Sequence, residues 1–167
     1  TTLKNCIDND NFEGAKNEID RCVQNGINLN ADFLYDLSNM YLIQYSLYKK
    51  NYQVFEYLTK FIDINKPYDH HNYTLIYLII HKWDFDHNFL IVILRYIRDI
   101  NYKMGLTNRT ALSAFINKIG NRIREHNYDD EHAKLYKDII ILFLNHRADP
   151  TIEDDHGASA MGCIMNT

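Results

Sequence analysis

"LFLNHRADPTIEDDHGASAM", residues Leu142–Met161, passes from an apolar helix end through a polar turn into the start of another helix. Its centre has three counterparts upstream. The connectors NGINLN (Asn25–Asn30), FIDIN (Phe61–Asn65), IRDIN (Ile97–Asn101) and RADPT (Arg147–Thr151) share one form: an acid or Asn, an apolar residue or Pro, then Asn or Thr. Counted between final residues, Asn30 to Asn65 is 35, Asn65 to Asn101 is 36 and Asn101 to Thr151 is 50. Two near-equal intervals and one lengthened by an insertion are the mark of an internal repeat.

Between the connectors the apolar residues fall at helical spacing. Val54, Phe55 and Leu58 give i, i+1, i+4; Leu90, Ile91 and Leu94 repeat it, and so do Ile140, Ile141 and Leu144. The only prolines, Pro67 and Pro150, lie in polar connectors, and no stretch alternates convincingly with period two. The pattern predicts an all-α chain.

Composition narrows the function classes. At 167 residues, 46% hydrophobic and 24% charged, the chain is long and apolar enough to bury a core. A net charge of −4 argues against a phosphate-backbone binder, which needs a basic stripe, so no nucleic acid is expected as partner. Apolar runs such as Leu75–Ile80 and Phe89–Leu94 fall well short of the about 18 residues of a membrane span, so no membrane is expected either. Cys6, Cys22 and Cys163 are odd in number and scattered, which reads as reduced core thiols and a cytoplasmic chain. The bias toward Ile, Asn, Tyr and Lys follows AT-rich codons, as in a virus, an intracellular bacterium or an AT-rich protist.

Seven residues after Asn65 stands NYTLIY (Asn72–Tyr77), seven after Asn101 NRTALS (Asn108–Ser113), and six after Thr151 GASAMG (Gly157–Gly162). Each is similar to the G-x-T-P-L-H box that opens the inner helix of an ankyrin repeat. The stretch Asp138–Ala160 resembles the family's outer helix, finger and next inner helix almost position by position, and the spacing lies close to the family's period of about 33 residues. CIDNDNFEGAKNEIDRCVQNG (Cys6–Gly26) is similar to the family's A-x-x-G-x-x-E-x-V-x-x-L-L-x-x-G. The resemblance implies an ankyrin-repeat solenoid of stacked helix–loop–helix units with hairpin-like fingers near 26–31, 63–73, 99–109 and 149–158. The approximate units are 1–30, 31–65, 66–101, 102–151 with an insertion near 120–134, and 152–167 as a partial or capping unit.

Local chemistry agrees with this division. Gly or Asn ahead of the Thr-like position tolerates positive φ in a tight turn. Thr74, Thr110 and Ser159 supply hydroxyls suited to cap the following helix. No unit can bury its apolar face alone, so stacking is required. The sequence also departs from the family. No intact T-P-L-H occurs, the second inner helix (31–51) is long and Tyr-rich, and Arg147 stands where the family has Gly, which puts that turn under strain. The insertion, Gly120–Lys134, is expected to prolong an inner helix and end in an exposed turn. Met161, Ile164 and Met165 are left without a visible cover.

The chemical candidates reduce to structural ones. His70, His71, His81 and His87 lack zinc-site spacing and have no nearby thiol. Asp129, Asp130 and Glu131 precede a helix, whose positive end favours acids. There is no P-loop, no G-x-S-x-G and no EF-hand loop. No catalytic residue, cofactor or metal is expected, and the chain is not read as an enzyme.

The resemblance implies a non-catalytic protein–protein interaction module, a viral or pathogen effector in host–virus interaction that binds a host protein through its concave face in the cytoplasm or nucleus. The alternative is a targeting or substrate-recognition fragment of a larger enzyme or ubiquitin-ligase adaptor. In such arrays, contacts come from finger tips and inner helices. The partner-binding candidates are therefore Tyr68, His70 and His71, then Tyr102, Lys103 and Met104, then Glu153, Asp155 and His156. Tyr68, Tyr102 and Met104 are the expected anchors, since interfaces favour Tyr and Met at their centre. The acidic last finger is suited to steer a basic surface. Equally, the tyrosines could pack against neighbouring fingers.

Overall fold

The computed structural model describes residues 2–29, 34–35, 40–67, 72–82, 87–125 and 129–165. Among them the chain is mostly helical, with one pair of two-residue strands. Two compact units divide it, Thr1–Asp63 and Ile64–Thr167.

In the first unit, α1 (Thr2–Asp8) packs on α2 (Phe12–Gln24), and α3 (Leu42–Tyr48) on α4 (Tyr52–Leu58), while α2 also meets α4. Ile7, Ala15 and Ile19 of the first pair and Leu42, Val54 and Phe55 of the second are almost fully buried. The helices begin where Asn side chains cap them: Asn11 accepts from the Gly14 N–H (3.0 Å) and Asn51 from that of Val54 (3.2 Å). The long helix expected over 31–51 is not formed. The described part of that stretch instead holds β1 (Leu34–Tyr35), antiparallel to β2 (Met40–Tyr41), and then the seven residues of α3. The sequence between the strands, Asp-Leu-Ser-Asn, is rich in residues that bond their own backbone in turns and compete with a helix.

Side chains tie neighbouring helices in this unit. The Tyr45 hydroxyl donates to Asp8, which also pairs with Lys4 (2.6 Å) and Lys49 (3.1 Å). The Tyr57 hydroxyl donates to Asp20 (2.5 Å), which also pairs with Lys16 (3.2 Å). Hydrogen bonds from Lys4 and Tyr45 hold the Asp8 carboxyl well below its ordinary range; a hydrogen bond from Tyr57 does the same for Asp20.

The second unit has α5 (Leu75–Lys82), α6 (His87–Leu94), α7 (Ala111–Arg124), α8 (Asp130–Asn145) and α9 (Ala160–Met165). Here α5 packs on α7 and α7 on α9, and α6 packs on α8. Phe115, with its ring centroid 5.9 Å from those of both Phe143 and Tyr136, joins α7 to α8. The Thr110 hydroxyl accepts from Ser113 N–H (3.3 Å), Ser159 from Gly162 (3.0 Å) and the Asp129 carboxylate from His132 (2.9 Å), so all three serve as helix caps. Thr74 donates its hydroxyl to the sulfur of Met104. Within the insertion, α7 runs on to Arg124 and α8 starts at Asp130; residues 126–128 are outside the described set.

Four helix ends close in one way. Asp10, Gly26, Lys50 and Arg147 have φ of +54°, +68°, +58° and +64°. At each, the N–H of that residue bonds the carbonyl three back, and the next N–H bonds the carbonyl five before itself, as in Asn11 to Cys6 and Ala148 to Phe143. Only one of the four is glycine. Arg147 therefore carries the left-handed strain expected of it, and the Asn72, Asn108 and Gly157 turns show positive φ too.

Candidate partner-binding surface

The second unit places two loops, 95–110 and 146–159, side by side. Their register is set lower down, where the connectors meet. Asn65 donates its amide to the Tyr96 carbonyl (3.0 Å) and accepts from the Arg98 N–H (2.9 Å). Asn101 donates to the Arg147 carbonyl (3.2 Å) and accepts from the Asp149 N–H (2.7 Å). One side chain at the end of each D-I-N connector thus pairs with backbone of the following connector in the same two-bond manner.

Above these joints residues 99–109 turn back on themselves as a hairpin. Met104 and Arg109 exchange both backbone hydrogen bonds at 3.0 Å. Gly105 (φ +76°) and Asn108 (φ +52°) supply the left-handed positions of the turn between them. The neighbouring finger is fastened to it. The Arg109 guanidinium donates twice to one oxygen of Asp154 (3.0 and 2.7 Å), and the other oxygen accepts from the His156 and Ala158 N–H groups at 2.9 Å. Burial pushes the Asp154 carboxyl up, but the Arg109 hydrogen bond and the two amide donors outweigh it and leave the carboxyl below its ordinary value.

The nine candidate residues divide three ways. Tyr68, His70 and His71 lie outside the described residues. Lys103, Glu153 and Asp155 are exposed and brought together: Lys103 Nζ donates to the Glu153 carbonyl (2.6 Å), and Asp155 accepts from the Asn108 amide (3.0 Å) while its N–H donates to Thr107 (3.0 Å). His156 is exposed beside them. The two described anchors behave differently. Tyr102 is half-buried and donates its hydroxyl to Asn72 Oδ1 (2.7 Å), so it packs against a neighbouring loop. Met104 is only 2% exposed, turned inward by the hairpin pairing of its backbone, and cannot serve as an exposed anchor.

The residue at the tip is Leu106, 68% exposed. Its signal was present in the sequence, since Gly105 and Asn108 bracket it with the two residue types that favour left-handed turns. Sequence reasoning also missed the row formed by Tyr73, Tyr77 and His81, at successive four-residue steps on and before α5. Their ring centroids are 4.7 and 4.2 Å apart. Loss of hydration, then the charges of Lys118 and Arg109, lower the His81 pKa. Loss of hydration, then Tyr73, raises that of Tyr77.

Among the described residues no three His, Cys, Asp or Glu side chains gather as a metal site, and no helix is long and apolar enough to cross a membrane. Cys6, Cys22 and Cys163 are free thiols, with that of Cys22 pushed up by burial. Met161, Ile164 and Met165 are 45%, 54% and 80% exposed. No protein-family model matches the sequence, and a search of characterised proteins finds no match to it.

Proposed function

We propose that the chain is a non-catalytic protein-binding module built as a divergent ankyrin-repeat array, with the fingers at 99–109 and 149–158 as its contact surface. The observation that carries this reading is the repeated joint at Asn65 and Asn101, the same two bonds from the same connector position, as stacked copies of one unit require. Fingers held in register by such joints form a fixed platform, and a platform whose side chains are already ordered loses little entropy on binding.

The surface so placed has one apolar projection, Leu106, within a polar rim of Lys103, Glu153, Asp155 and His156. An apolar centre ringed by charge is the ordinary anatomy of a protein–protein interface. The partner is a host protein, and the chain a viral or pathogen factor. Supporting that source are the AT-rich residue bias and the degenerate repeat boxes. The place of action is the host cytoplasm or nucleus.

The test is capture of a partner from host-cell lysate followed by affinity measurement on variants. Leu106→Ala is expected to weaken binding about 30-fold, roughly 2 kcal/mol, as for a central interface residue. Its melting temperature should not move, since the side chain is exposed. Glu153→Lys with Asp155→Lys should slow association and reduce its salt dependence. Native affinity in all of these variants would move the contact surface to the outer helices α6 and α8.

A further inference from the structure

Behind the finger 99–109 lies a cavity of about 160 Å³ within the second unit. We propose that it is a binding site for a small, uncharged, single-ring apolar molecule. The site is separate from the finger-tip surface and does not depend on that reading.

The cavity arises from a difference between two copies of the same box. In NYTLIY the residue after the Thr of the box is Leu75; in NRTALS it is Ala111. Both are fully buried. Ala111 lines the cavity, and the missing isopropyl group is of the kind whose loss opens a hole when the surroundings do not collapse. The surroundings here are held apart. Ile64 and Ile100, the central residues of consecutive D-I-N connectors, form two of the walls, and their spacing is fixed by the Asn65 joint. Met104, locked by the hairpin, forms another.

Size and chemistry together define the ligand. A cavity of about 150 Å³ with aliphatic walls admits benzene, whereas pockets for drug-sized molecules run to about 300–1,000 Å³. The buried walls Ile64, Ile76, Ile100 and Met104 are apolar, so the part of a guest that reaches them must be apolar, while Arg98 and Asp99 stand at the mouth. Among the buried lining residues one polar handle is available. The Thr74 hydroxyl, also in the lining, donates at 2.9 Å to the Met104 sulfur, a weak acceptor; its oxygen can also accept from a ligand N–H such as that of indole. Arg98, Asp99 and Tyr102 line the cavity while keeping contact with solvent, so the mouth lies along the connector.

The experiment is a methyl NMR titration of the full chain with benzene and, separately, with indole. Saturable shifts are expected at the methyls of Ile76, Ile100 and Met104, with a melting temperature that rises with ligand concentration. Two variants fill the space from opposite walls: Ala111→Leu restores the side chain of the preceding copy, and Ile100→Phe enlarges the connector wall. Each should weaken binding at least tenfold. Absence of saturable shifts in the native chain overturns the proposal, even where a filled variant does not fold. So do shifts that persist undiminished in a folded filled variant.

Discussion

In the unit Thr1–Asp63 the described joints between helix pairs run through helix side chains: Tyr45 to Asp8 and Tyr57 to Asp20, each hydroxyl reaching 37 residues back to a carboxylate that holds a lysine one turn away. In the unit Ile64–Thr167 the joints run through connectors, where Asn65 and Asn101 bond backbone and Arg109 holds the buried Asp154. The first kind depends on ionised groups near solvent and answers to pH and salt. The second sets the register of neighbouring loops by bonds to backbone, with one buried ion pair, Arg109 to Asp154, added to them. The comparison predicts different failures in the two regions.

The largest effect is expected at Asp154. Its Ala variant leaves Arg109 without its partner and two N–H groups without an acceptor, and should cost about 3 kcal/mol in urea unfolding. A loss under about 1 kcal/mol would mean that water replaces the carboxylate and that the fingers are not fastened as described.

Next come the connector amides. Asn65→Ala and Asn101→Ala each remove two bonds to backbone and should cost about 1–3 kcal/mol. Because the two joints are alike, the costs should be similar; a large inequality would break the equivalence of the two connectors.

The acid response should appear in both regions, through Asp154 in the second and through Asp8 and Asp20 in the first. Asp8 and Asp20 have folded pKa values below the unfolded value of about 3.9, so the folded state binds fewer protons than the unfolded one in that range. Their contribution is complete above about pH 4 and is lost as pH falls through the folded values. Asp8→Asn should flatten the acid limb of stability against pH, and Tyr45→Phe should cost about 1 kcal/mol at neutral pH. An unchanged acid limb in Asp8→Asn would show that other carboxylates govern it.

The smallest effect compares two helix ends of identical geometry. Gly26→Ala should cost about 1 kcal/mol, and Arg147→Gly should gain about as much, since φ is +68° and +64° at the two sites. Equal stability of Arg147→Gly and the native chain would place compensating contacts on the arginine.

Much of this was legible in the sequence for a definite reason. Helices announce themselves by apolar spacing and caps by residue type. The Asp129, Thr110 and Ser159 caps and the turns at Asn72, Asn108 and Gly157 therefore fall where residue chemistry puts them, whereas the Arg147 turn was legible only from its place in the repeat. The stretch 31–51 misled because its place in the repeat suggested a helix, whereas its aromatic residues favour strands. The candidate surface was less legible. A loop has no period to say which side chain turns inward, so Met104 and Leu106, two residues apart, could not be ranked. Their 2% and 68% exposures follow from the Met104–Arg109 hairpin pairing, a contact between backbones that side-chain identity does not announce. Asn65 and Asn101 were visible as period marks, but their bonds to the next connector were not.

Amide hydrogen exchange on Asn65→Ala and Asn101→Ala tests the repeated connector joint most directly. If each Asn holds the following connector, Asn65→Ala selectively loses protection at the Arg98 amide and Asn101→Ala at the Asp149 amide, each leaving the other site protected. Unchanged protection at both amides, or equal loss at both in either variant, would contradict it.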